Sequence, residues 1–230
     1  MILLVIDTSG KNGSVALARE RELHDPEVIE VAALSGGTFS AQLVPVIATL
    51  LTTHGLSKID IGAFIAVAGP GSFTGLRVGL AAIKALAEVL GKPIVPVSLL
   101  ELLAIASRAQ GKVASILDAG RGELYAGEYE ISGESAQVLR EQVLTKDEFF
   151  SVAKTLPVST PDPALAEMAR GAGLSVVEVP PVSTETIARL GWRKLQAGDT
   201  VPPEQLDASY IRRSDAEMFV KANPGSVHGV

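Results

Sequence analysis

A short unit occurs twice in this chain. Val5-Ile6-Asp7-Thr8-Ser9-Gly10 near the start and Ile116-Leu117-Asp118-Ala119-Gly120-Arg121 past the middle each run from an apolar strand through an aspartate into a turn of mostly small residues, and a second strand follows. Two copies of one strand–Asp–turn–strand unit imply two lobes that each open with a β-hairpin, because the turn chemistry and the apolar runs match in both places. The remainder alternates helical and strand patterns, which is the signature of an α/β protein.

In the first half, residues 2–6, 14–19 and 28–33 read as strands, followed by a helix over 40–54 that Gly55 stops and whose core face carries Leu43, Ile47, Leu50 and Leu51. Pro45 inside that helix removes a hydrogen bond or kinks it. Residues 61–68 read as a buried strand, 69–75 as a turn, 76–90 as a second helix closed by Gly91, and 94–97 as a further strand. Ser98-Leu99-Leu100-Glu101 and Thr145–Glu148 both match the capping-box pattern. Strands are expected over 112–118 and 174–179, a helix over 183–197, and a tail around 210–220 after the Pro202-Pro203 break. The expected division is a first lobe over 1–100 and a second, smaller lobe over 101–230. The layout suits a two-lobed actin-like ATPase fold, in which paired hairpin turns hold nucleotide phosphates. It also suits the related ribonuclease H-like nucleases, in which such carboxylates hold metal.

Each candidate for chemistry has a structural reading beside it. Gly69-Pro70-Gly71-Ser72-Phe73-Thr74-Gly75 stands between a strand and a helix, where backbone amides can bind an anion. Pro70 offers no N–H, and Val97 and Ser98 stand where a ribose-binding acid would end the next strand. A rigid turn, an anion site and a dinucleotide site all remain readings of this loop. Gly91-Lys92 and Gly111-Lys112 lack the rest of a P-loop. Ser72 lacks the flanking glycines of a nucleophile elbow. The three histidines, His24, His54 and His228, are far apart, and there is no cysteine, so thiolate zinc sites, disulfides and cysteine nucleophiles are excluded. Asp7 and Asp118 either bind magnesium as a pair or each cap their own turn. No catalytic residue and no metal ligand set emerges.

The two helices of the first half are unusually poor in charge. From Val31 to Ser57 there is no Asp, Glu, Lys or Arg. The far face of the first helix carries Ala41, Gln42, Pro45, Ala48, Thr49 and Thr52, where a surface helix normally carries charge. In the second helix Arg77, Lys84 and Glu88 share one stripe roughly 40° wide, and the other positions are apolar or small. Either the helices cover each other within one lobe or they meet another chain. The expected contact set for a partner is Gln42, Pro45, Ala48, Thr49, Ala81, Lys84, Ala85 and Glu88.

Several segments together resemble the TsaB (YeaZ) family: the 69–75 loop with Leu76-Arg77-Val78-Gly79-Leu80, the opening Leu4-Val5-Ile6-Asp7-Thr8-Ser9, Leu43-Val44-Pro45, residues 117–125, and Ser209-Tyr210-Ile211-Arg212-Arg213 in the tail. The resemblance implies the actin-like, two-lobed fold, with Asp7, Thr8, Ser9, Asp118 and Gly120 in degenerate phosphate loops. It implies an accessory subunit for placing threonylcarbamoyl on N6 of adenosine 37 in tRNAs that read codons starting with A. In such a protein the first lobe's helices pair with a TsaD-like transferase, or with a second copy when the transferase is absent, and a TsaE-like ATPase joins the complex. ATP and magnesium are then used by partners and not held tightly by this chain. One position departs from the family: Phe39-Ser40 stands where His-Ser is common.

An actin-fold ATP-dependent phosphotransferase and a two-aspartate nuclease are the competing functions. Lys plus Arg number 20 against 26 Asp plus Glu, a net charge of −6. That makes the chain a poor primary binder of tRNA, which is left to a partner. The start, Met1 followed by a five-residue apolar run and Asp7, reads as a strand and not as a signal peptide, and no apolar stretch of about 20 residues is present. A cytoplasmic protein without a membrane contact is expected.

Overall fold

The computed structural model describes residues 1–22 and 24–207. The family-like 209–213 segment, the tail expected around 210–220 and His228 lie outside the described residues.

The first apolar run becomes the middle strand of a five-stranded sheet. β1 (Ile2–Asp7) is flanked on one side by antiparallel β2 (Gly13–Arg21) and β3 (His24–Leu34), and on the other by parallel β4 (Ile61–Gly69) and β5 (Ile94–Ser98). β1 is apolar throughout because both of its faces are covered. Its even residues Ile2, Leu4 and Ile6 pack under α1 (Phe39–Thr53) and α2 (Phe73–Leu90). Its odd residues Leu3 and Val5 pack under Ile187, Leu190 and Trp192 of α6 (Thr184–Gln196).

The second sheet repeats this plan. β6 (Gly111–Gly120) pairs antiparallel with β7 (Glu123–Ser132), and β7 with β8 (Ser135–Thr145). Parallel β9 (Val158–Thr160) and β10 (Val176–Glu178) extend the other side. The orders β3-β2-β1-β4-β5 and β8-β7-β6-β9-β10 are the same sequence of pairings. The two aspartate turns therefore sit at equivalent corners, and the fold is the α/β actin-like ATPase (ribonuclease H-like) arrangement. α4 (Lys146–Val152) and α5 (Pro163–Gly171) cover one face of this sheet through Phe149, Leu165 and Ala169. α3 (Leu99–Ala106) covers the other through Leu100 and Ala104. α6 follows the second sheet in sequence, yet it packs on the back of the first.

Several local expectations change. The second helix begins at Phe73, three residues early, because Ser72 caps it and its Oγ accepts a hydrogen bond from the Gly75 amide. Half of the glycine-rich turn is thus the first helical turn. α1 runs through Pro45, which is exposed, so the Ala41 carbonyl that loses its helical donor is near water. The capping box at Thr145–Glu148 forms, with Glu148 accepting from the Thr145 amide at 2.8 Å. The matching box at Ser98–Glu101 does not form. The Ser98 hydroxyl donates to Glu141 at 2.6 Å and the Glu101 carboxylate pairs with Lys194, so tertiary partners take both side chains. Among the described residues, no helix is long and apolar enough to cross a membrane.

Candidate functional site: a cleft between two turns and an uncharged helix face

The strand ends of the two sheets face each other across a cleft of about 1120 Å³. Ser9, Gly10, Lys11 and Asn12 of the β1–β2 turn line one wall with Gly71, Ser72, Thr74 and Gly75. Asp118, Ala119, Gly120 and Tyr125 line the other. Both aspartates are held within their own turns. Asp7 Oδ1 accepts from the Ser9 amide at 2.8 Å and from the Ser9 hydroxyl at 2.5 Å. Asp118 Oδ1 accepts from the Gly120 amide at 3.3 Å. This is the side-chain-to-backbone pattern that stabilises such turns. Among the described residues, no group of three or more His, Asp or Glu stands close enough to hold a metal ion. His54 pairs with Glu30 at 2.6 Å and His24 bonds the Glu22 carbonyl, both on the outer rim of the first sheet.

The glycines of the 69–75 loop and of α2 allow a close approach. The Ser72 amide donates to the Ser9 carbonyl at 2.6 Å. A Cβ on Gly71 would fall well inside contact distance of the Ser9 backbone, one on Gly75 of the Thr8 carbonyl, and one on Gly79 of the Thr8 side chain. Thr8 and Ser9 are accordingly buried. The loop thus clamps the start of α2 onto the β1–β2 turn, while the Arg77 guanidinium lies 3.8 Å over the Phe73 ring at its outer edge. Gly75→Ala should lower stability by about 2 kcal/mol, the usual scale for an added methyl in a site that cannot give way. Urea unfolding checks this, and an unchanged midpoint would mean the turn relaxes freely. Phe39, at the position where the family often has histidine, is buried beneath this corner, with its ring close to Gly13 and Gly75.

The outer surface of α1 and α2 is the second feature. The helices touch each other, and Leu43, Ile47, Leu50 and Leu51 of α1 with Leu80, Ile83 and Ala87 of α2 face the sheet. Their far sides remain open: Val44 is 58% and Val89 76% exposed, and Pro45, Ala48, Thr49, Ala81, Ala85 and Glu88 are exposed beside them. Gln42 and Lys84 make polar contacts within the chain. Gln42 Oε1 accepts from the Ser35 amide at 3.0 Å, and its amide nitrogen donates to the Thr38 hydroxyl at 2.6 Å. Lys84 Nζ donates to the Leu206 carbonyl at 2.9 Å. What stays on the outside is a broad ridge of small and aliphatic side chains bordered by Arg77 and Glu88. Exposed apolar surface of this kind is a candidate interaction site.

A third group went unnoticed in the sequence. Tyr129 and Ser98 both donate to Glu141 Oε1, and Lys194 Nζ lies 3.2 Å from Glu101 and 3.0 Å from Asp199. Burial pushes the Glu101 carboxyl above the ordinary glutamate value, with Lys194 pulling against that rise. Burial, followed by the adjacent Glu141 charge, raises the Tyr129 hydroxyl as well.

With this geometry in hand, comparison with known proteins is specific. The family described as TsaD, tRNA N6-adenosine threonylcarbamoyltransferase, matches residues 33–196. The Bacillus subtilis protein named tRNA threonylcarbamoyladenosine biosynthesis protein TsaB is 33% identical, over 67% of this chain and 66% of its own length. The Haemophilus influenzae protein of the same name is 32% identical, over 73% of this chain and 68% of its own. The solved structure of YeaZ from Pseudomonas aeruginosa superposes with a TM-score of 0.67 at 25% identity, covering 90% of this chain and 99% of that one.

Proposed function

The chain belongs to the TsaB (YeaZ) family within the wider TsaD-like group, and on that premise we propose that it serves tRNA threonylcarbamoyladenosine biosynthesis as a non-catalytic subunit that binds and activates a TsaD-like transferase. The observation that carries this reading is the open outer face of α1 and α2, where Val44, Ala48, Ala81, Ala85 and Val89 are exposed with little charge among them. Two helices of a partner laid against this ridge would bury it, and the small side chains allow close approach. When the transferase is absent, a second copy uses the same ridge. The transferase supplies most of the tRNA affinity, because this chain carries a net charge of −6. A TsaE-like ATPase joins the assembly, and ATP and magnesium act in the partners, in the cytoplasm.

Asp7 and Asp118 support the absence of chemistry here, since each carboxylate accepts from its own turn. The test is light scattering of the purified chain alone and mixed with the TsaD-like transferase of the same genome. The expected result is a homodimer that converts to a complex containing both proteins. Two species that never associate would overturn the proposal.

A further inference from the structure

The two sheets are joined by a thin contact. The chain passes between them at Ser98–Leu99, where β5 ends and α3 begins, and returns between β10 and α6. α3 is fastened to the second sheet: Leu100 and Ala104 pack in its core, and the buried hydroxyls of Ser115 on β6 and Ser159 on β9 donate to the Leu100 and Leu103 carbonyls at 2.8 Å each. Towards the first sheet α3 offers Leu102, with Leu99 and Ile105 beside it. Among the described residues, Ile105 is the one apolar side chain that packs against a core of each sheet. Apolar contact across the junction runs through α3, an eight-residue helix.

The polar ties crossing the same junction are better built. Ser98, at the end of β5, donates to Glu141 of β8 at 2.6 Å, and the fully buried Tyr129 of β7 donates to the same oxygen. Glu101 of α3, 5% exposed, pairs with Lys194 of α6, whose ammonium also meets Asp199. At the surface, Arg193 of α6 reaches Glu134 between β7 and β8 at 2.8 Å while also contacting Asp25 of β3. The groups around Glu101 are thus Lys194 and Asp199 from α6 and its end, Glu141 from β8 and Tyr129 from β7.

These ties connect directly to the cleft walls. Ser98 lies opposite Gly69 in the β4–β5 register, and Gly69 leads into the loop that lines one wall. On the other side, Tyr129 and Tyr125 share one face of β7, about 13 Å apart by strand geometry, and Tyr125 lines the opposite wall. We propose that the junction is a hinge fastened by two buried polar ties, Ser98–Glu141–Tyr129 and Glu101–Lys194, and that these ties set how far the cleft between the two aspartate turns opens. Hinges of this kind concentrate their change at a few residues where elements end.

The absence of cysteine makes the test direct. Spin labels on Lys11→Cys, in the β1–β2 turn, and Asp147→Cys, on α4, report the separation of the walls in the full chain. With both ties intact the distance distribution is expected to be narrow. In Ser98→Ala/Lys194→Met, with far-ultraviolet circular dichroism unchanged, it should broaden and shift to longer distances. An unchanged distribution in that folded variant overturns the proposal. Should the double variant fail to fold, Glu101→Gln decides the matter. At neutral pH Glu101→Gln, which removes the charge from one side of the tie, should broaden the distribution and shift it to longer distances, and an unchanged distribution in that variant would overturn the hinge.

Discussion

Ala85→Glu should abolish association with the transferase while leaving the monomer folded. Ala85 is exposed on α2, and glutamate is nearly as good a helix former as alanine, so the variant should stay folded as a monomer. In a closed contact between apolar helix faces, an unpaired carboxylate carries a penalty of about 3 kcal/mol or more, which is at least two decades in Kd. Ala48→Glu on α1 should act in the same way. Titration calorimetry against the transferase checks the affinity, and light scattering checks the mass of the free protein. Unchanged affinity in both variants would place the partner elsewhere. A loss confined to Ala85→Glu would shift the contact to α2 alone.

Lys194→Ala should be the most destabilising of the surface-reachable substitutions. It leaves the Glu101 carboxylate, 5% exposed, without its cation. Breaking a buried pair by removing one partner costs about 3 kcal/mol, which for a domain of this size is roughly 6–12 °C in Tm. The pH dependence has a definite sign. The folded-state value of Glu101 is raised above the ordinary 4.5, so the folded state holds that proton more tightly than the unfolded chain does. The associated stability is full below the unfolded value and is lost as pH rises through the folded one. Removing Lys194 takes away a group that opposes this rise, so the loss deepens. The gap between Lys194→Ala and the unaltered protein should therefore be small near pH 4.5 and widen towards neutrality. Urea midpoints across that range test it, and a gap independent of pH would mean that Glu101 is well solvated without its partner.

Much of the architecture was legible from local pattern. The unbroken apolar run of β1 predicted a strand, the run over 61–68 predicted a buried one, and the repeated aspartate turn predicted two hairpins in equivalent places. The helical spacing of Leu43, Ile47, Leu50 and Leu51 predicted the buried side of α1. Each of these signals lies within one element, where period and turn chemistry decide. Failures arose where distant residues decide. Ser98–Glu101 and Thr145–Glu148 carry the same local signature, but the partners of the first are 43 and 93 residues away, and those partners won. The return of α6 to the first sheet leaves no mark in its own sequence, because an amphipathic helix does not specify which sheet it covers. The start of α2 was missed because glycines were read as turn formers, where they serve close packing on Thr8 and Ser9.

The central claim is a subunit that is required for the modification without taking part in its chemistry. The most direct test is reconstitution of tRNA threonylcarbamoyladenosine synthesis with the TsaD-like and TsaE-like partners, ATP, magnesium, threonylcarbamoyl-adenylate and unmodified tRNA, read by nucleoside mass spectrometry. With this protein included, the modified nucleoside should accumulate, and Asp118→Asn should support it nearly as well. With it omitted, or replaced by Ala85→Glu, the product should disappear. Full modification in its absence would contradict the account, as would loss of product in Asp118→Asn with transferase binding intact, since that would make the second turn an active site.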